Sequence, residues 1–165
     1  MNPTNFRTHR IEVPTVTVNI SMFGLIFGAK KFLEAARVVV AHEGPQETGW
    51  HPVGKFLACQ SIELSLKAFL RLRGATNADV EQYRHRIAEL LAEARKNNLR
   101  EYLRLSGNEL NEIRKASKYY QHQIFRYPDV YEMARAYPDD PNIAPLLSAA
   151  EKFVEGLYLP IRAAA

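Results

Sequence analysis

The sequence predicts an all-α protein: an antiparallel up-and-down bundle of four to five main helices, preceded by a short extended N-terminal arm. Three observations carry that reading. Residues 60–74, QSIELSLKAFLRLRG, are apolar over most of a helical circumference through Ile62, Leu64, Leu66, Phe69, Leu70 and Leu72, so other elements must surround them. Apolar residues recur at helical spacing before and after this stretch, at Phe23, Ile26, Leu33 and Val40, and again at Leu146, Ala150, Phe153 and Leu157. Breakers separate the periodic stretches, notably Gly44, Pro45 and Gly49, then Gly74, then Pro128, Pro138, Pro141 and Pro145.

A chain of 165 residues that is 47% hydrophobic can build one core. We divide it into an arm, residues 1–20, and one helical domain, residues 21–165. The net charge of +4 permits a polyanionic partner without demanding one. The single cysteine, Cys59, excludes an intrachain disulfide and any multi-cysteine metal site, and its apolar surroundings mark it as an inert buried thiol. Residues 13–29 carry no formal charge, yet Pro14, Thr15, Thr17, Asn19 and Ser21 interrupt them and Lys30 and Lys31 follow. A membrane span needs a longer apolar run. The expectation is a cytoplasmic protein without a membrane partner.

Along the chain, IEVPTVTVNI at residues 11–20 alternates β-branched and polar residues, which favours an extended strand with Pro14 on an edge. The strand packs on its own helices or pairs with a second subunit. Ser21 caps a helix that runs to about His42. The central helix follows over about 52–73, with Gly74 as its C-cap. Asn77 or Asp79 begins a segment that presents Ile87, Leu90, Leu91 and Ala94 and stops near Asn97. A turn at 99–105 leads to a helix capped by Asn108, with Leu110, Ile113, Tyr120, Ile124 and Tyr127 on one face, ended by Pro128. Residues 129–145 read as an irregular crossing loop, and residues 143–161 as the last helix.

Three polar features stand out. Gln60, Glu63, Lys67 and Arg71 form one stripe on the otherwise apolar central helix, with Glu63 and Lys67 in the favourable acid-before-base order. That seam is either an internal ion pair that fixes helix register or the wall of a pocket. His85, within YRHRIAEL, begins the apolar rhythm of its helix; it is a satisfied inward histidine or a proton-transfer group. Lys115, Tyr119, His122 and Arg126 line one helical stripe of cations around an aromatic, suited to phosphate and base contacts or simply a solvated face. The sequence has no phosphate loop, no GxSxG and no HExxH. No metal ligand set and no cofactor are expected.

The order and spacing of AAR at 35–37, CQSIELSLKAFLRLRG at 59–74, HRIAELLAEA at 85–94 and FRYPD at 125–129 resemble the HEPN superfamily of small helical domains. The resemblance spans roughly residues 21–128. It implies a helical bundle that often forms a homodimer, and one of two roles. Some members are metal-independent ribonucleases of the toxin or defence type, using an arginine and a histidine separated by four to six residues. Others lack that motif and bind nucleotides or other ligands, or partner a nucleotidyltransferase. In the late helix, seven residues separate Arg114 from His122, outside that interval; Lys115 to His122 has the interval but not the arginine. The sequence therefore favours a non-catalytic binding module with a site at Glu63, Lys67, His85, Arg126 and Tyr127. The alternatives are a ribonuclease using His122 with Arg114, Lys115 or Arg126, and a purely structural interaction protein.

Overall fold

The computed structural model of the chain describes residues 20–43, 51–127 and 139–165. Six helices stand in these residues: α1 (Met22–Glu43), α2 (Pro52–Leu72), α3 (Asn77–Glu81), α4 (Ile87–Lys96), α5 (Gly107–Gln121) and α6 (Ile143–Ala163), with one 3-10 turn at Leu99–Glu101. There is no strand among the described residues. The all-α bundle expected from the apolar periodicity is what forms. The extended arm and most of the crossing loop lie outside the described residues.

Helix α2 is the axis. It packs against α1, α6, α4, α5 and α3, which explains why Ile62, Leu66 and Phe69 are all fully buried. Around it Ile26 and Leu33 of α1, Ile87 and Leu90 of α4, Ile113 of α5, and Leu146, Phe153 and Leu157 of α6 complete one core. Burial of this apolar surface is the main favourable term in the fold.

Local chemistry sets the helix ends. The Ser21 hydroxyl accepts from the Gly24 N–H at 3.0 Å. Thr76 and Asp79 cap each other at the start of α3, as Ser106 and Glu109 do at the start of α5. Ser106, not Asn108, is thus the cap of α5. Asn142 begins α6 by accepting from the Ala144 N–H at 3.0 Å. Helix α2 ends where Gly74 adopts φ +95°, with the Gly74 N–H bonded to the Arg71 carbonyl and the Ala75 N–H to the Leu70 carbonyl. This is the reciprocal left-handed stop that glycine favours.

Two helices expected to be continuous are not. The segment from Asn77 to Asn97 divides into α3 and α4, because Arg84 takes a left-handed φ of +47°. The Arg86 guanidinium then serves the loosened carbonyls of Gln82, at 2.7 Å, and Tyr83, at 3.3 Å. Likewise α5 ends at Gln121, six residues before the expected stop at Tyr127. Gln123 adopts φ +60°, with its N–H on the Tyr120 carbonyl and the Ile124 N–H on the Tyr119 carbonyl. That is the same stop as at Gly74, built without a glycine at a steric cost of about 1 kcal/mol.

Candidate functional site

The two interrupted helices supply the site. The break before α4 turns His85 back onto α2, and the early end of α5 leaves Tyr120 in its last turn and Arg126 on the turn that follows. Glu63, on the buried side of α2, collects them.

The Glu63 carboxylate is almost wholly buried and accepts from three side chains. Lys67 Nζ, one helical turn on, reaches Oε1 at 2.8 Å. Tyr120 Oη donates to Oε2 at 2.6 Å, and His85 Nδ1 lies 3.0 Å from the same oxygen. Such a cluster is tolerable in the interior because the charge is paired and both carboxylate oxygens are hydrogen-bonded. Lys67 also stands 3.9 Å from the exposed Glu81.

The donor count fixes proton positions. A carboxylate can only accept, so the facing His85 Nδ1 carries its hydrogen and Nε2 is left as the second nitrogen of the ring. The His85 side chain is 43% exposed, so this ring links the buried carboxylate to solvent. Burial, the Glu63 charge and the hydrogen bond to it all push the Tyr120 phenol pKa up, while Arg126 acts in the opposite sense. The phenol stays protonated and donates. Gln60 is the other side-chain partner of the Tyr120 hydroxyl.

Aromatic contacts join this cluster to the surface. His85 meets Tyr120 edge-on with ring centroids 5.3 Å apart, and Phe56 packs against Tyr120 at 5.9 Å. The Arg126 guanidinium lies over the Phe56 ring at 5.5 Å and over Tyr127 at 5.4 Å. Tyr127 is 65% exposed. A cation set between two rings at the surface has its outer N–H groups available to an anion.

The structure thus brings Glu63, Lys67 and His85 into one hydrogen-bonded cluster, with Arg126 and Tyr127 beside it across Tyr120 and Phe56. Arg71, the last member of the seam, does not join; its Nη1 is buried with no hydrogen-bond partner among the described residues. The expected stripe of Lys115, Tyr119, His122 and Arg126 does not exist as a face. Tyr119 is buried and stacks on Phe125 at 5.3 Å, and Arg126 lies beyond the helix. Lys115 pairs with Glu112 at 3.0 Å. Arg114 is exposed on α5, and His122, just past its end, accepts from the Gln121 amide at 3.0 Å. At helical rise the backbone positions of Arg114 and His122 are about 12 Å apart. The contact of His85 with Glu63, not the Lys115 stripe, is where the polar chemistry converges.

Sequence reasoning misses two participants and one feature that stands apart from them. Tyr120 was placed among apolar face residues, although a buried phenol requires a partner for its hydroxyl. Phe56 carried no polar signal at all. The third is a pair: RVVVAH, at residues 37–42, holds an arginine and a histidine with four residues between them. Both are exposed on the second half of α1, and Arg37 pairs with Glu151 of α6 at 2.8 Å.

Among the described residues no helix is long and apolar enough to cross a membrane. Comparison with curated proteins and with solved structures gave no match. The HEPN domain family matches residues 24–157, which run from within α1 to within α6 and take in every member of the Glu63 cluster. The chain belongs to the HEPN domain family.

Proposed function

We propose that this HEPN domain is a binding module for a small anionic ligand bearing a planar ring, of which a nucleotide is the chemical type. Arg126 meets the anionic group, Tyr127 offers its exposed ring for stacking, and His85 presents Nε2 to a hydroxyl or base edge. Glu63, Lys67 and Tyr120 hold His85 from behind and do not touch the ligand. Residues 21–165 act as one cytoplasmic domain, working as a homodimer or beside a protein partner such as a nucleotidyltransferase.

The observation that carries this reading is the asymmetry of the Glu63 cluster. Its carboxylate is buried and met by three donors, yet one of them, His85, opens to solvent, across Tyr120 and Phe56 from a cation held between two rings. A register-setting ion pair needs Glu63 and Lys67 alone. Calorimetric titration with uridine and adenosine monophosphates, and with inorganic phosphate, tests it. The nucleotides bind, phosphate binds more weakly, and Arg126→Ala lowers nucleotide affinity by tenfold or more, a loss of about 1.4 kcal/mol. Unchanged affinity in a folded Arg126→Ala, Lys67→Ala protein sinks it.

A metal-independent ribonuclease is the second reading, and Arg37–His42 is the observation that favours it. On α1 the two side chains point about 140° apart at helical pitch, and Arg37 is engaged by Glu151. A shared phosphate therefore needs Arg37 to leave that partner. Cleavage of a mixed RNA pool that disappears in His42→Ala but persists in His122→Ala supports it. Persistence in both variants rules both histidines out.

A further inference from the structure

The surface between the end of α4, the 3-10 turn and the start of α5 plays no part in the Glu63 cluster. It forms a continuous groove. One part is an open cleft of 550 Å³ lined by Arg95, Lys96, Arg100 and Glu101, among others. The other is a notch of 50 Å³ lined by Leu99, Leu103, Leu105 and Leu110. Arg95 and Arg100 line both.

Two properties distinguish this groove from an ordinary charged surface. Its arginines are unspent: Lys96 pairs with Glu93 at 2.9 Å, but among the described residues Arg95 and Arg100 have no carboxylate within 4.0 Å. Glu101 is the one unpaired carboxylate on the groove wall, so the balance is positive. Its floor is aliphatic and held in place. Gly156 of α6 is pressed so closely on the turn that a Cβ there would stand 2.9 Å from the Tyr102 carbonyl oxygen and 3.1 Å from Leu103. Tyr102 is fixed from the other side, edge-on to Phe69 at 5.4 Å. The turn that carries Leu103 is thus held between α6 and α2.

We infer that this groove docks a segment of a partner protein in which an aliphatic side chain is flanked by carboxylates. The aliphatic anchor enters the leucine notch, and the carboxylates meet the Arg95 and Arg100 guanidinium groups, which bind carboxylate in a two-pronged geometry. A nucleic acid fits the floor poorly. Its bases stack on rings, and the notch is lined by leucines.

Fluorescence anisotropy with labelled short peptides tests this on the full chain. One peptide carries leucine between glutamates, a second replaces the glutamates with lysines, and a third replaces the leucine with serine. The acidic leucine peptide binds, and both substitutions weaken it at least about tenfold. Arg95→Glu, Arg100→Glu abolishes binding, and the milder Arg95→Gln, Arg100→Gln reduces it while thermal unfolding shows the fold retained. Equal binding of the serine peptide, equal binding by the glutamine variant, or preference for a single-stranded RNA oligomer overturns the inference.

Discussion

Helix α5 carries a buried carboxylate cluster at its first turns and contributes to another at its last, and the two differ in what supplies the hydrogen bonds. At the start, Glu109 accepts from the Ser106 N–H at 2.6 Å, the Ser148 hydroxyl at 2.7 Å and Lys152. One turn on, Glu112 accepts from the Asn142 N–H at 2.7 Å and pairs with Lys115. These carboxylates tie helix ends together: backbone N–H groups that a helix leaves orphaned are satisfied by a charge. At the other end, Glu63 is served only by side chains, from its own helix, from α5 and from the turn before α4. Burial of a charge is common to both regions. What differs is that the Glu63 donors include an imidazole set across Tyr120 and Phe56 from Arg126, whereas Glu109 and Glu112 are met by backbone N–H groups at helix ends and by lysines.

If that difference holds, the two regions separate under mutation. The largest effect belongs to the structural end. Glu109→Ala removes a capping box and the charged acceptor of Ser148 and Lys152, and costs about 3 kcal/mol of stability by urea unfolding, with nucleotide affinity unchanged. Acid sharpens the same point. Burial opposes the charged form of Glu109, but hydrogen bonds from Lys152, the Ser106 N–H and Ser148 outweigh it and lower the pKa from 4.5 to about 2. A lowered folded-state pKa gives stability that is present above 4.5 and lost as pH falls towards 2. The loss is on the order of 3 kcal/mol, and Glu109→Gln should flatten it. Glu63→Gln keeps the shape of the other cluster but leaves Lys67 only the longer contact with Glu81 at 3.9 Å. It costs about 2 kcal/mol and also weakens nucleotide binding, because His85 loses its fixed tautomer. Arg126→Ala is the smallest in stability, below about 1 kcal/mol, and the most selective for binding. A Glu63→Gln protein with full affinity, or an Arg126→Ala protein that unfolds, breaks the comparison.

Much of this was legible in the sequence, for physical reasons. The apolar circumference of residues 60–74 required a central helix, and Gly74 marked its end because the left-handed stop suits glycine best. The same stop at Gln123 was not legible, since nothing in a glutamine announces a positive φ. Periodicity therefore carries the helix through to Tyr127 and sets the stripe of Lys115, Tyr119, His122 and Arg126 on a cylinder that is not there. Arg84 hid the break between α3 and α4 in the same way. The Glu63–Lys67 pair was readable from its spacing of four. Its contacts with His85 and Tyr120 join residues 22 and 57 positions away, and no local rule reaches that far.

The most direct measurement is a uridine monophosphate titration of isotope-labelled protein followed by nuclear magnetic resonance. Saturable shifts are expected at His85, Arg126 and Tyr127, with Glu109, Ser148 and Lys152 silent. Shifts that spare His85 and Arg126, or that gather at the first turn of α5, would contradict it.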